Sequence, residues 1–444
     1  MSKYTREDII RIVEEEGVEF IRLQFTDLYG QLKNVAITAG QLERALDNRC
    51  SFNGAAIDSF VRIEESDMYL YPDLDTFMIV PWRPQQGKVA RFMCNIYRKD
   101  QTPFEGDCRY LLKKVLKKAD DMGYTLKVGA EMEFFVYPTD DYGNVNTDTG
   151  ELAGYFDLAP LDRGENVRRD IVMNLEDMEI EVESSYHEHA PNQHEIDLAY
   201  GDALEIADSI QTFRLTAKTL AKRHGLHATF MPKPKNGKEG SGMHLNLSLN
   251  DKNGVNLFGD SADPNGLSRL AYLFLGGVIR HLEGMALVTN PLINSYTRLQ
   301  PGFDAPIYIA WSCSNRSTAI RIPSALPQHA RMELRSPDSV SNPYLVLALI
   351  LAAGLEGIEK QIMPPASVDR NIFAMSREEL DTYKIRSYPG SLGDAIRAFE
   401  EDFFVQKTLG NHVADKYVKS KREEWRRYQE YVTDWEIQEY LRKF

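Results

Sequence analysis

The chain has 444 residues, 43% of them hydrophobic and 27% charged, with a formal net charge of −14. Length and composition predict two or three domains around a sizeable core. The negative field excludes a polyanionic partner such as nucleic acid, although a local arginine cluster still admits small anionic substrates.

The start of the chain, Met1 to Arg11, is polar and offers no signal-peptide core. Thr5 followed by Asp8 reads as a helix cap, with Ile9, Ile10 and Val13 as the apolar stripe and Gly17 as the stop. Ile21, Leu23 and Phe25 then alternate with Arg22, Gln24 and Thr26, which predicts a half-buried strand. Asp27 to Gly30 is a turn, and Val35 and Ile37 continue a second strand. The polar stretch from Asn95 to Asp107 carries a Pro and a Gly and marks a domain boundary. Arg109 to Met122 reads as a helix, and strands and helices follow in mixed order. The missing βαβα rhythm argues against a parallel Rossmann or barrel fold. Tyr344 to Leu355 is taken as the longest apolar stretch, too short for a bilayer, which needs roughly 20 residues. The last segment, Ala395 to Phe444, is helical in pattern. Cys50, Cys94, Cys108 and Cys313 form no CxxC pair, so a reducing, cytoplasmic location without a membrane partner is expected.

Carboxylates stand in unusual places. In GAEMEFFVY, Glu131 and Glu133 lie two apart in an apolar strand and share a face. SSYHEHAPNQHEIDL supplies Glu188 and Glu195, GSGMHLNLSL supplies His244 in an alternating strand, and ARMELRSPD sets Glu333 between Arg331 and Arg335. Any one of these glutamates is more often a solvated face residue; together they could hold two hard cations such as Mg²⁺ or Mn²⁺. His187 and His189 lack zinc-site spacing and read as surface or supporting residues. Arg298, Arg316, Arg321, Arg331 and Arg335 form a second group, suited to carboxylate and phosphate contacts. Cations plus guanidiniums are what phosphoryl transfer requires. NGKEGSG lacks the GK[ST] spacing, which excludes a P-loop.

RIEESDMYLYPD, GYFDLAP, NQHEID, HATFMPKP, GSGMH, NSYTRLQPG, AWSCSNRS, IRIP, MELRSPD and NPYL, in that order along essentially the whole chain, resemble the glutamine synthetase family. The length is that of the shorter, Firmicute-type bacterial type I enzymes, and Phe373 stands where another subtype carries a modified Tyr. The resemblance implies an α+β fold: a β-grasp domain over 1–104 and a large antiparallel-sheet catalytic domain with helices over 105–444. It implies ATP-dependent ligation of ammonia to the γ-carboxylate of L-glutamate through γ-glutamyl phosphate, with two or three Mg²⁺ or Mn²⁺ ions. It also implies a homododecamer of two stacked hexameric rings, with active sites shared between subunits. By motif, Glu133, Glu188 and Glu195 would hold one cation and Glu131, His244 and Glu333 the other. Glu183, Tyr200, Asn246, Ser248, Arg316 and Arg331 would border ATP. Glu133, Glu239, Gly240, Arg298 and Arg335 would hold glutamate, and Asp304, Arg316, Arg321, Arg335 and Asn53 would serve catalysis. Arg62 matches a feedback arginine.

Four positions depart from the family pattern. FNGAA replaces FDGSS, so Asn53 stands for an Asp that helps bind and deprotonate ammonium, and Ala56 stands for a Ser. A neutral amide takes no proton from ammonium. Asp304 replaces a Glu and Glu239 an Asn. All four lie on the nitrogen or amino-acid side, which raises a glutamate–amine ligase as the alternative. A ring that binds ATP or glutamine without turnover is the alternative from another class; the intact ligand set argues against it.

Overall fold

The computed structural model describes residues 3–57, 67–83, 86–302 and 305–444. In its N-terminal part, α1 (Arg6–Glu15) leads into β1 (Val18–Thr26) and β2 (Leu32–Thr38). Then come α2 (Leu42–Leu46), β3 (Cys50–Asn53), β4 (Asp67–Pro72), β5 (Met78–Ile79) and β6 (Lys88–Tyr97). The strands form a six-stranded sheet in the order β2-β1-β6-β4-β3, with β5 on β6. β1 and β6 run parallel and the other pairs antiparallel. This is a β-grasp module, with Ile9 and Val13 of α1 in its apolar core. Thr5 and Asp8 cap α1 reciprocally, and Gly17 turns the chain out of it at φ +62°.

One expectation fails here. β1 is not half-buried, because Gln24 and Thr26 on its polar face are only 3% and 4% exposed. The end of β1 lies against the following part of the chain, where Thr26 Oγ1 accepts from Gln211 Nε2 at 3.1 Å.

That part begins with α3 (Cys108–Asp121), β7 (Thr125–Pro138), α4 (Glu165–Glu176), β8 (Val182–His187), β9 (Gln193–Asp202) and α5 (Ala203–Arg223). β10 (Leu226–Thr229), β11 (Met243–Asn250), α6 (Arg269–Thr289), α7 (Ser295–Arg298), β12 (Tyr308–Ser312), β13 (Thr318–Arg321) and β14 (Met332–Leu334) follow. The chain closes with α8 (Pro343–Glu359), α9 (Arg377–Thr382), β15 (Arg386–Ser387), α10 (Leu392–Glu401), α11 (Phe403–Leu409), α12 (Asn411–Gln429) and α13 (Asp434–Tyr440). Its nine-stranded sheet runs β15-β12-β13-β14-β11-β7-β9-β8, with β10 on β7. The sheet is antiparallel apart from the β12–β13 pair.

Strand alternation sorts this sheet into two faces. Ala130, Met132, Phe134, Ile196, Leu245, Leu247, Met332 and Leu334 join the apolar core with residues of α5, α6 and α8. α6 is long and apolar enough to cross a membrane, but most of it is buried in this core. α6 and α8 approach until backbones touch. A Cβ on Gly277 would sit 2.0 Å from Ala353 O, and one on Gly357 would sit 2.1 Å from Leu273 O. Beside this crossing His281 is clamped between Glu356 and Asp402, each 2.7 Å from one ring nitrogen.

Candidate active site

The other face of the large sheet is polar, and strand register assembles it. Asp197, Glu131 and His244 stand opposite one another across β9, β7 and β11, and Glu195 pairs with Glu133 in the next row. Asn246 stands opposite Glu333, and Glu333 opposite Arg321. The two-residue spacing of Glu131 with Glu133, Glu195 with Asp197, and His244 with Asn246 keeps all of them on this face.

A cavity of about 210 Å³ opens there. All six expected cation ligands, Glu131, Glu133, Glu188, Glu195, His244 and Glu333, line it. Glu131, His244 and Glu333 bring donor atoms within 4.8 Å of one another. His244 Nδ1 is 3.1 Å from Glu131 and 3.9 Å from Glu333, and its Nε2 is 3.7 Å from Glu133. Asn246 donates to Glu131 at 2.7 Å, and Gln193 and the Gly242 amide donate to Glu133 at 3.1 and 2.9 Å. Arg321 and Arg335 both donate to Glu333, at 2.8 and 2.7 Å.

The electrostatics follow from this crowding. Burial works to raise the Glu131 carboxyl, but the hydrogen bonds from His244 and Asn246 bring it down to about 2. Burial pushes Glu133 up, with Glu188 adding and His244 and Arg298 opposing. Burial, then Glu133 and Asp197, push Glu195 up. Burial and Arg335 work to lower His244, yet the neighbouring Glu131 and Glu133 leave its imidazole more basic than usual. Carboxylates this close repel until a positive charge lies among them.

The arginines are distributed around the same space. Arg316, Arg321 and Arg335 line the cavity. So does Arg298, which is 3% exposed and donates to Asp338 Oδ1 and Ser336 O, both at 2.8 Å. Glu239 and Gly240 stand at the cavity's edge. A Cβ on Gly240 would lie 2.3 Å from Pro232 O and 3.2 Å from Arg298 Cβ, so only glycine fits that approach.

A second cavity of about 730 Å³ adjoins the first and shares Glu131 and Asp197 with it. Glu183, Tyr200, Asn246 and Arg331 line it, Arg331 Nε donating to Asn246 at 3.0 Å and the Tyr200 hydroxyl to Ser248. Arg316, expected at both sites, lines the first cavity and not this one.

The nitrogen-side residues are not gathered in the same way. Asn53 lines neither cavity; its Oδ1 accepts from Ala55 N at 3.0 Å, in the short turn that ends at Ala56. Arg62 and Asp304 lie outside the described residues.

Sequence reasoning missed several cavity residues. Asp197 stands at the wall between the two cavities, bonded by Ser184. Burial raises its carboxyl, with Ser184 opposing and Glu131 adding. Its signal was present, since Glu195 and Asp197 repeat the spacing of Glu131 and Glu133. Tyr155, Tyr186 and Gln193 also line the first cavity. His187 is not a surface residue: its side chain is fully buried and bonds the Glu188 carbonyl at 2.7 Å. His189 lies at the cavity rim, bonds the Glu188 carboxylate at 2.8 Å and stacks on Tyr155.

Two family models cover the chain: "Glutamine synthetase, beta-Grasp domain" over residues 17–99 and "Glutamine synthetase, catalytic domain" over residues 105–440. A glutamine synthetase of Clostridium saccharobutylicum is 56% identical over 444 residues, all of both chains. One of Staphylococcus aureus is 50% identical over 442 residues, 99% of each. Among solved structures, a GmaS/ADP complex superposes with a TM-score of 0.89 at 35% identity, covering 98% of this chain and 99% of that one. A Plasmodium falciparum glutamine synthetase superposes at 0.87 and 25% identity, covering 99% of each. Fold and similarity together define a ligase that forms C–N bonds. The chain belongs to the glutamine synthetase family, of which ATP binding, metal binding and oligomer formation are general features.

Proposed function

We propose that this chain joins ammonia to the γ-carboxylate of L-glutamate through γ-glutamyl phosphate, in a pocket where glutamate and the cations meet ATP from the adjoining cavity. The observation that carries this reading is the gathering of all six expected ligands in one cavity that shares a wall with a second, larger one.

The residues present fit divalent cations. Carboxylate oxygens with one imidazole suit Mg²⁺ or Mn²⁺, and Glu131, His244 and Glu333 already converge. Glu133, Glu188 and Glu195 would form the other site. Such ions supply charge neutralisation for the transferring phosphoryl group. Arg316, Arg321 and Arg335 face the same space and would steady its oxygens, which permits two negative partners to meet. Arg298 and Gly240 would seat the amino acid, and Glu183, Tyr200, Asn246 and Arg331 the nucleotide, while Ser248, expected there too, is fully buried, lines neither cavity and accepts from the Tyr200 hydroxyl. The division at 104/105 fits two sheets with separate apolar cores. The exposed Trp435, Leu441 and Phe444 at the chain's end are apolar surface for contact with other copies, in keeping with a dodecamer.

A second reading, a glutamate–amine ligase, is favoured by Glu239 at the cavity edge and by the neutral Asn53. The experiment is phosphate release from ATP with Mg²⁺ and glutamate, run with ammonia, methylamine, ethanolamine and putrescine in turn. Turnover with ammonia upholds the first reading. Turnover confined to an amine transfers the assignment to the second, and ATP binding without turnover defeats both.

A further inference from the structure

Two arginines of the large domain are buried to similar degrees and treated very differently. Arg109, 5% exposed, is paired with Asp208 and Asp73, both at 2.8 Å. Arg214, 8% exposed, donates from Nη2 to Ser341 O at 2.8 Å, while its Nε is buried with no hydrogen-bond partner. Among the described residues no carboxylate forms an ion pair with it. A guanidinium stays charged at any ordinary pH, so its burial without a counter-charge is unfavourable.

Arg214 sits at a junction. The turn Asp27–Gln31 of the β-grasp domain docks there, with Gln211 Nε2 donating to Gly30 O at 3.1 Å. Asn342 Nδ2 donates to Asp27 O at 3.2 Å from the other side. A cavity of about 130 Å³ remains between the turn and α5, lined by Gln31, Gln211, Arg214, Lys218 and Phe230 among others. Gln211, Arg214 and Lys218 are spaced three and four residues apart and so share one helix face. The Lys218 ammonium lies 5.7 Å from the centre of the Phe230 ring, at the solvent-reaching end of this face. Burial, reinforced by the Arg214 charge, pushes the Lys218 ammonium toward lower pKa.

We propose that this junction cavity binds a small tetrahedral oxyanion of the phosphate class, with Arg214 at its floor and Lys218 at its mouth. Arg214 lines the cavity with no carboxylate paired to it among the described residues and Lys218 adds a second charge, which is the pairing that phosphate oxygens take. The volume admits inorganic phosphate and is too small for a nucleotide. Because the cavity's walls come from both domains, an ion held there fastens the β-grasp turn to α5. This cavity shares no lining residue with either catalytic cavity, and the proposal stands or falls separately from the reaction.

The test uses the full-length protein in EDTA, and a phosphate response from the catalytic cavity, which Arg316, Arg321 and Arg335 also line, is told apart by Lys218→Met, a change outside that cavity. Thermal unfolding and isothermal titration are followed as inorganic phosphate is added, with acetate and chloride at matched ionic strength. Phosphate stabilises folded proteins non-specifically, so each response is read against variants. The expected result is a saturable rise in Tm with phosphate, weakened at least about tenfold in apparent affinity by Lys218→Met and abolished by Arg214→Met. Lys218 reaches solvent, so its variant folds whether or not Arg214→Met does. Equal responses to acetate and phosphate, or a phosphate response unchanged in Lys218→Met, overturn the proposal. So does the lack of any saturable response, which is also the outcome if a second copy of the chain fills the cavity.

Discussion

The two halves of the candidate site are built from different material. Most of the cation and phosphoryl half lies on β7, β9, β11, β13 and β14, where neighbouring strands fix the side chains by register, with Glu188, Arg316 and Arg335 on the segments that join or follow them. The nitrogen-donor half sits at element ends and on loops: Asn53 closes β3, its side chain accepting only from Ala55 N among the described residues, and Glu239 lies on the segment ahead of β11. A sheet-held ligand cannot move without breaking a ladder, whereas a loop residue changes position at little expense. The first half is where replacement should be most damaging, and the second is where specificity can drift.

That contrast can be broken by experiment. The largest effect belongs to His244→Ala, which removes one of three converging ligand groups; ATP-dependent turnover should fall at least about 100-fold. Circular dichroism should show the fold retained. Glu333→Ala should lose turnover equally but also unfold at lower temperature, because Arg335, 4% exposed, loses the carboxylate that pairs with it. Near-normal turnover in either variant would remove the sheet-held half from the chemistry. Asp197→Asn tests the wall between the cavities. Turnover should drop by roughly tenfold through weaker handling of the nucleotide, read as a KM for ATP that rises more than kcat falls. Asn53→Asp and Glu239→Asn act on the loop-held half. Each should change KM for the nitrogen donor by up to about tenfold and leave KM for ATP alone. A shift in ATP affinity instead would show that the two halves are not separable.

The smallest effect lies outside both halves. Burial works to lower the His281 pKa, but the hydrogen bonds to Asp402 and Glu356 outweigh it and leave the folded value raised. Its contribution to stability is therefore complete below the unfolded value of about 6.5 and fades as pH rises through the folded one. Burial works to raise Glu356, and the bonds from Lys360 and His281 outweigh it and hold it low. That contribution is present above the unfolded value of about 4.3 and fades as pH falls through the folded one. The Tm difference between the protein and His281→Gln should shrink from about pH 6 towards pH 9. A constant gap would mean that the ring acts only by stacking on Phe404, whose ring centre is 4.2 Å away.

How much of this was legible in the sequence follows the same division. Period-two alternation announced Glu131 with Glu133 and His244 within its strand, and the family motifs supplied the partners. Asp197 repeats that spacing in HEID, but nothing in the sequence alone separates it from a solvated strand carboxylate. The burial of Gln24 and Thr26 could not be read from β1 itself, since it depends on Gln211, far along the chain. Arg214 in TFRLTAK looks like an ordinary charged position on an amphipathic helix; only the docking of the β-grasp turn encloses it. Asn53 shows the limit in the other direction. Its type was informative, yet no pattern within one chain says which cavity it serves.

The glycine contacts between α6 and α8 carry a mechanical consequence. With Gly277 and Gly357 leaving no room for a Cβ between the two backbones, the α6–α8 crossing has little free volume to give up. Hydrostatic compression will therefore be taken up by the rim loops and the domain junction before the strands that carry the carboxylates feel it.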